Sequence, residues 1–201
     1  MLPAIDEDTR QVVDLLRQAV DTSGMSQAAF ARALGTSPPR LSTYLSGQTR
    51  PSAWWCFRAV RLARALDTAA RYGLMSAPAT AVAMSQRGNA GETDWVWRML
   101  LQGRDHLTTI LSGDDETLRG AWEAEPGSAG SLEWNTLLAA IAAQEYERLG
   151  LDAPGWTRVE PLETPWMPEH PFLSPPRVEA QTPQWLRRLN VYVPARDMVT
   201  A

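Results

Sequence analysis

Apolar residues recur every three or four positions through the first 72 residues, which is the spacing of amphipathic helices. This periodicity predicts four helices, at residues 6–23, 26–34, 37–45 and 52–71. Residues suited to cap or end helices stand at the predicted boundaries: Gly24, Ser26, Gly35, Ser37, Gly47 and Ser52. Four short helices with clear boundaries predict a compact helical domain at residues 1–72.

The pattern changes after this domain. Residues 73–91 are rich in Gly, Ala, Ser and Pro and are interpreted as a linker. Helical spacing returns in three segments, at residues 93–111, 114–122 and 131–149. These segments predict a helical middle region at residues 92–150.

The last segment, residues 151–201, is a tail crowded with prolines, which prevent long regular elements. Only one turn of helix at residues 184–189 and an extended segment at residues 191–193 are expected there. The predicted fold class is therefore all-α, with an irregular tail rich in proline and tryptophan.

Two adjacent prolines begin the third predicted helix. With Ser37 as N-cap, Pro38 and Pro39 occupy the first two helical positions. The first N–H groups of a helix have no partner inside it, so these prolines lose no hydrogen bond, and their fixed φ is already helical. They also remove two N–H donors, so contacts made at this helix end must come from side chains.

The net charge of the whole chain is −4, but its arginines are concentrated in one block. Residues 25–72 contain seven arginines and one acid, Asp67, which gives a net charge of +6. The first 24 residues carry −3, and residues 73–201 carry −7. Such asymmetry indicates a candidate nucleic-acid-binding face, with chance clustering on a solvated helix as the alternative.

Residues 25–52, MSQAAFARALGTSPPRLSTYLSGQTRPS, resemble the Cro/CI-type (XRE) helix-turn-helix family. The family pattern is matched in one register without gaps by Met25, Ser26, Gln27, Phe30, Ala31, Leu34, Gly35, Ser37, Leu41, Ser42, Gly47, Pro51 and Ser52. The resemblance extends over residues 9–72. It implies a lambda-repressor-like DNA-binding domain whose third helix enters the major groove.

The same resemblance implies which residues contact double-stranded operator DNA: Gln27, Ser37, Pro38, Pro39, Arg40, Ser42, Thr43, Gln48, Thr49 and Arg50. Arg40 is the best candidate for reading a base, because arginine can bond guanine O6 and N7 together; a simple phosphate contact is the alternative. Arg50, Arg58 and Arg61 are expected near phosphates. Phe30, Leu34, Leu41 and Tyr44 are expected in the core.

Two sequence features depart from the family pattern. Pro38 and Pro39 replace polar residues that could read bases, which reduces the number of side chains available for contacts with base edges. Trp54 and Trp55 are adjacent on the fourth helix and cannot easily both be buried on one face. One of them is a candidate for packing on a partner subunit, because such domains usually read a two-fold site as homodimers.

The tail carries three tryptophans, Trp156, Trp166 and Trp185, whose large apolar side chains need a covering surface. That surface is either the predicted middle helices or a partner protein. The tail is also similar, more loosely, to the C-terminal region of XRE-type antitoxins, which implies a repressor of its own operon that neutralises a cognate toxin. The alternative is a stand-alone ligand-responsive or developmental regulator whose residues 92–149 form a pocket or a dimer interface.

The sequence argues against an enzyme. It lacks a His-Glu-x-x-His motif, a glycine-rich phosphate loop and a nucleophile elbow. His106 and His170 are its only histidines, and His106 is adjacent to Asp105, so the two side chains point apart on a helix. Cys56 is the only cysteine, so no disulfide within one chain is possible, and neither a metal nor a cofactor is expected. No signal peptide or membrane-spanning run is recognised, which predicts a soluble cytoplasmic protein.

Overall fold

The structure, a computed structural model, describes residues 6–88 and 92–198. Those residues form α-helices and two single turns of 3₁₀ helix, with no β-strand among them. The helices are α1 Glu7–Thr22, α2 Gln27–Ala33, α3 Pro38–Leu45, α4 Ala53–Arg71, α5 Ala77–Gly88, α6 Thr93–Ser112, α7 Glu116–Glu123, α8 Leu132–Arg148, α9 Pro175–Gln181 and α10 Gln184–Arg187. The all-α prediction is confirmed for this part of the chain.

The chain divides into two compact units, each made of two stretches of sequence. The N-terminal unit contains Met1–Pro78 and Gly113–Gly127, and the C-terminal unit contains Ala79–Ser112 and Ser128–Ala201. No helix in the described stretches is both long enough and apolar enough to cross a membrane.

The first four predicted helices are found as α1 to α4, each with a serine or aspartate N-cap. Their facing sides form one core, in which the largest fully buried side chains are Leu16, Phe30, Leu34 and Leu41. Tyr44 is also buried, as predicted, and Cys56 is a buried free thiol. The N-terminal unit is thus a helical bundle assembled from locally capped helices.

The predicted linker needs correction. Within residues 73–91, residues 77–88 form α5, and residues 89–91 lie outside the described part of the chain. Four side chains of α5 are fully buried: Ala77, Thr80, Ala81 and Met84. Its small residues, which resembled linker composition, allow close packing; a Cβ on Gly103 of α6 would overlap Thr80. Alanine also favours helix strongly when a surface is available.

The predicted middle region also needs correction, because α7 belongs to the N-terminal unit. It packs on α4 so closely that a Cβ added to Gly120 would lie 2.9 Å from the Cβ of Ala65. Trp122 is fully buried there and donates its indole N–H to the carbonyl of Met75 at 2.9 Å. The helix-turn-helix bundle is therefore completed by a helix that lies more than forty residues further along the chain.

The C-terminal unit is built around α6 and α8, which pack on each other. A buried carboxylate, Glu145 on α8, accepts hydrogen bonds from Arg104 at 2.9 Å and Thr108 at 3.0 Å, both on α6, and from Arg148 at 2.9 Å. Burial raises the pKa of Glu145, but these three hydrogen bonds outweigh burial, so its pKa lies below the ordinary value. Arg104 also donates to the carbonyl of Met198 at 2.6 Å, which ties the tail to α6.

The tail folds as part of this unit. Its 3₁₀ turn at Gly155–Thr157 and its helix α10 both pack on α8. Residues 191–193, expected to be extended, make a single isolated bridge between Trp166 and Val191, with Tyr192 donating its N–H to the carbonyl of Trp166 at 2.8 Å. The tail supplies core side chains of its own: Leu162, Val178, Leu186, Val191 and Val193.

Candidate nucleic-acid interface

Helices α2 and α3 are joined by a tight turn. Gly35 has a φ of +69°, a left-handed conformation that favours glycine, and it allows the chain to reverse directly after α2. The Gly35 N–H donates to the carbonyl of Arg32 at 2.7 Å, and the Thr36 N–H donates to that of Ala31 at 2.9 Å. These bonds fix the angle at which α3 leaves the turn.

The start of α3 agrees with the prediction made from its two prolines. Pro38 and Pro39 occupy the first two helical positions, and the hydroxyl of Ser37 accepts a hydrogen bond from the Arg40 N–H at 3.4 Å. Pro38 is half-buried, whereas Ser37 and Pro39 are exposed. Since neither proline has an N–H and that of Arg40 is occupied, this helix end presents side chains rather than backbone donors.

One face of α3 is open to solvent. Arg40 and Ser42 are exposed and Thr43 is half-buried, while Leu41 and Tyr44 point into the core. The Thr43 hydroxyl donates to the carbonyl of Arg40 at 2.8 Å. Of the residues expected to contact DNA, Arg40, Ser42 and Thr43 therefore lie on the open side of α3.

Arg40 is held by a neighbour that sequence reasoning assigned to the core alone. Its Nε donates to the hydroxyl of Tyr44 at 2.8 Å, and its guanidinium carbon lies 5.9 Å from the centroid of that ring. Tyr44 in turn packs on Trp55 of α4, with the two ring centroids 4.8 Å apart. Within the described residues the terminal nitrogens of Arg40 form no hydrogen bond or ion pair, so they are available for an outside acceptor. The signal for this arrangement is the i, i+4 spacing of the arginine and the tyrosine.

Three uncharged polar residues lie at the two ends of the α2–α3 pair. Gln27, at the first position of α2, and Gln48 and Thr49, in the turn after α3, are all exposed. The Thr49 N–H donates to the carbonyl of Thr43 at 3.2 Å, which fixes the turn to the end of α3. These side chains lie at the two ends of the α2–α3 pair.

Arg50 has a protein partner. It forms an exposed ion pair with Asp6, the N-cap residue of α1. Asp6 accepts hydrogen bonds from the backbone N–H and the hydroxyl of Thr9, both at 2.9 Å. These bonds, followed by the positive charge of Arg50, lower the pKa of Asp6. Sequence reasoning missed this pair, because its members are 44 residues apart.

Basic and aromatic side chains also lie on the first turns of α4. Arg58 stacks over Trp54, with 5.6 Å between its guanidinium carbon and the ring centroid, and Arg61 is exposed. Trp54 is 62% exposed, whereas Trp55 is half-buried against Tyr44. The expectation that the two tryptophans face different surroundings thus agrees with their exposure.

The three tail tryptophans belong to the C-terminal unit. Trp156, Trp166 and Trp185 are each half-buried within their own unit. Trp166 makes an edge-to-face contact with Trp134 of α8, with ring centroids 5.0 Å apart. They therefore find at least part of their covering surface inside the chain.

Residues 11–71 match the family model of a helix-turn-helix domain, a stretch that runs from within α1 to the last residue of α4. No curated protein and no solved structure matches the chain. The N-terminal unit thus contains a helix-turn-helix domain, a type of domain found in DNA-binding regulators, and the match is consistent with the Cro/CI-type pattern in its sequence. The match leaves residues 72–201 outside it.

Proposed function

We propose that this protein is a sequence-specific DNA-binding transcriptional regulator that represses by placing α3 in the major groove of its operator. One observation carries the proposal: Arg40 stands on the exposed face of α3 within a helix-turn-helix domain, with its guanidinium oriented by Tyr44. The major groove is wide enough to admit a helix, and each base pair presents a distinct pattern of donors and acceptors there. A pre-oriented arginine reads that pattern with little loss of rotamer freedom.

The flanking residues fit backbone contacts. Gln27, Gln48 and Thr49 lie at the two ends of the α2–α3 pair, where polar side chains can reach phosphates. Arg61 adds a positive charge on α4. Arg50 contacts phosphate after it releases Asp6, and Arg58 does so after it moves off the ring of Trp54. Because such contacts release counterions, the affinity for DNA falls steeply as salt concentration rises.

We propose that the DNA-binding species is a homodimer. A helix-turn-helix monomer buries little surface on DNA, and two copies reading half-sites one helical turn apart give both affinity and specificity. The exposed Trp54 on α4 supports an apolar contact outside its own unit. Repression then follows from occupancy of a site that overlaps a promoter.

Two roles remain for the C-terminal unit. The antitoxin role assigns the tail tryptophans to a toxin surface, and it rests on the looser resemblance of the tail. The stand-alone regulator role treats the tail as part of a folded domain. The packing of Trp166 on Trp134 and the link from Arg104 to Met198 favour the stand-alone role, because they give the tail an intramolecular function.

The experiment is to select operator sequences from a random DNA pool and then compare Arg40→Ala with the native protein on the selected site. We expect Arg40→Ala to lose about 1–3 kcal/mol of binding free energy and to relax selectivity at one guanine position. Arg177→Ala, an exposed arginine of α9, is the matched control and leaves both unchanged.

Each other outcome has a distinct meaning. An equal loss on all DNA sequences assigns Arg40 to a phosphate. No loss, with the circular dichroism spectrum unchanged, contradicts recognition by α3. Failure of any sequence to be enriched contradicts sequence-specific binding altogether.

A further inference from the structure

The C-terminal unit contains a cleft that the proposed DNA-binding function does not use. Its volume is about 770 Å³, and its walls come from α6, α8 and the tail, all within this unit. Sites for small organic molecules usually have volumes of this order and combine apolar walls with a few placed polar groups.

The walls of the cleft are aromatic. Trp97, Trp134 and Trp166 form a chain of edge-to-face contacts, with centroids 5.2 Å apart for the first pair and 5.0 Å apart for the second. Phe172 and Tyr192 also line the cleft, and Phe172 is 86% exposed. So large an exposed apolar ring beside an aromatic cleft is costly in water, and an occupant of the cleft would cover it.

The mouth of the cleft carries more unpaired negative than positive charge. Asp94 and Glu169 are exposed, and within the described residues neither forms a hydrogen bond or an ion pair. Arg196 is exposed but lies 3.6 Å from Asp197. Arg98 is then the single lining cation without a partner in that same part of the chain. Among the described residues that line the cleft, two carboxylates and one guanidinium are therefore without an ion-pair partner.

His170 fixes the rim rather than adding a positive charge. Its Nδ1 accepts the backbone N–H groups of Phe172 at 3.0 Å and Leu173 at 2.9 Å, so this nitrogen carries no proton. Its Nε2 lies 3.0 Å from a carboxylate oxygen of Asp197. The ring is therefore neutral in this arrangement, and it holds the turn that carries Phe172 in place.

We propose that this cleft binds a flat, mainly apolar organic cation, of the class of polycyclic aromatic amines. Ring faces attract cations, and the attraction grows as the cation is desolvated. The two free carboxylates add a Coulombic preference for positive charge, and the aromatic walls match a planar ring system. This site lies in a different unit from the helix-turn-helix domain, so its existence does not depend on the proposed function.

The other ligand charges fit less well. An anion would face two unpaired carboxylates with one free arginine to balance them. A neutral aromatic molecule would use the rings but leave Asp94 and Glu169 unused. These two cases are therefore the alternatives that the test has to separate.

The test compares three ligands with one ring system, titrated by calorimetry into the full-length protein without DNA. The ligands are 9-aminoacridine, which is cationic at neutral pH, acridine, which is neutral, and acridine-9-carboxylate, which is anionic. We expect the cation to bind at least about tenfold more tightly than the neutral ring, and the anion to bind weakest. Equal binding of the cation and the neutral ring, or no binding of the cation, overturns the proposal.

Substitutions at exposed residues test the charge preference of the cleft without disturbing the fold. Asp94→Asn and Glu169→Gln should each weaken binding of the cation by about two- to fivefold while leaving the neutral ring unaffected. Arg98→Gln should strengthen binding of the cation. Glu147→Gln, an exposed carboxylate of α8 outside the cleft, is the matched control and should change nothing.

The aromatic rim is tested separately. Phe172→Ala should weaken binding of both the cation and the neutral ring, whereas Leu132→Ala, a similarly exposed apolar truncation elsewhere in the unit, should weaken neither. Carboxylate variants that leave the cation's affinity unchanged contradict the charge argument. Operator binding is measured on the same variants and should stay intact, so failure of this proposal is distinct from failure of the DNA-binding proposal.

Discussion

Single residues at the interface combine a structural and a functional role. Tyr44 is buried in the core of the N-terminal unit, yet its hydroxyl accepts the Nε–H of Arg40. Asp6 caps α1, yet it also pairs with Arg50 at the edge of the proposed DNA-binding face. In the proposed DNA complex, Asp6 would compete with DNA phosphates for the guanidinium of Arg50.

Asp6→Asn tests that competition. Asparagine caps helices as well as aspartate does, so the thermal midpoint should hardly change. Release of Arg50 and loss of one negative charge should raise operator affinity by about two- to fivefold at low salt and less at high salt. Fluorescence anisotropy with labelled operator DNA at two salt concentrations measures this.

The matched control is Asp8→Asn, which removes the same charge from an exposed position two residues along. If both variants raise affinity equally, the gain is a general charge effect, and Arg50 is not restrained by Asp6. A lower affinity for Asp6→Asn would show that the ion pair positions Arg50 for DNA.

The helices illustrate how far local sequence determines an element. The tripeptide Ser-Pro-Pro occurs twice, at residues 37–39 and 174–176, and in both places the two prolines begin a helix. The first was predicted because an apolar stripe follows it. The second, α9, was not, because the surrounding prolines indicated irregular chain. Starting signals are local, but whether a helix continues depends on a surface to pack on.

Gly120→Ala tests the packing of α7 on α4. Alanine favours helix over glycine by itself, but here its Cβ would lie 2.9 Å from the Cβ of Ala65. We expect a net destabilisation of about 1–3 kcal/mol, since overpacking of a tight contact forces backbone shifts. Urea unfolding, followed by the fluorescence of the protein, measures the change.

Ala65→Gly in the same chain should recover part of that loss. On its own it costs about 1 kcal/mol of helix propensity, but combined with Gly120→Ala it removes the clash, so the two effects are not additive. A stabilising Gly120→Ala would mean that propensity dominates, and that α7 packs on α4 less closely than described.

At the scale of the whole molecule, the two units carry different proposals. The N-terminal unit holds the proposed DNA-binding face, and the C-terminal unit holds the aromatic cleft and the folded tail. Residues 151–201, predicted as either a partner-binding arm or part of the middle region, contribute buried apolar side chains to their unit, among them Leu162, Val178, Leu186, Val191, Val193 and Met198. The tail is therefore needed for the core of this unit, whatever else it contacts.

Deletion of residues 152–201 tests this. We expect amide protection in α6 and α8 to collapse, because the deletion removes their covering side chains and the Met198 carbonyl that Arg104 contacts. Protection in α1 to α4 should persist, since the described residues buried in their core lie at positions 16–66 and 124. Hydrogen–deuterium exchange with peptide resolution measures both.

Unchanged protection of α6 and α8 would contradict the structural role of the tail and would restore the partner-binding arm. In that case, a protein that co-purifies with the native chain but not with the truncated one would be the partner to test for the toxicity that the antitoxin role requires.

The sequence by itself determined the all-α class, the four N-terminal helices and the residues available on α3. These features depend on side-chain periodicity, on N-caps and on glycine turns, all of which act between residues at most four or five apart. The contact between Arg40 and Tyr44 lies at the same range and could have been predicted from their spacing.

Only the tertiary structure decided which distant segments meet. It placed α7 on α4, paired Asp6 with Arg50, made a packed helix of the expected linker and brought Trp166 onto Trp134. Such contacts join residues tens of positions apart, and they form where the summed burial of many side chains exceeds the entropy of closing the chain. That balance cannot be calculated from composition or local pattern. A segment rich in small residues or proline can therefore be a packed part of a core.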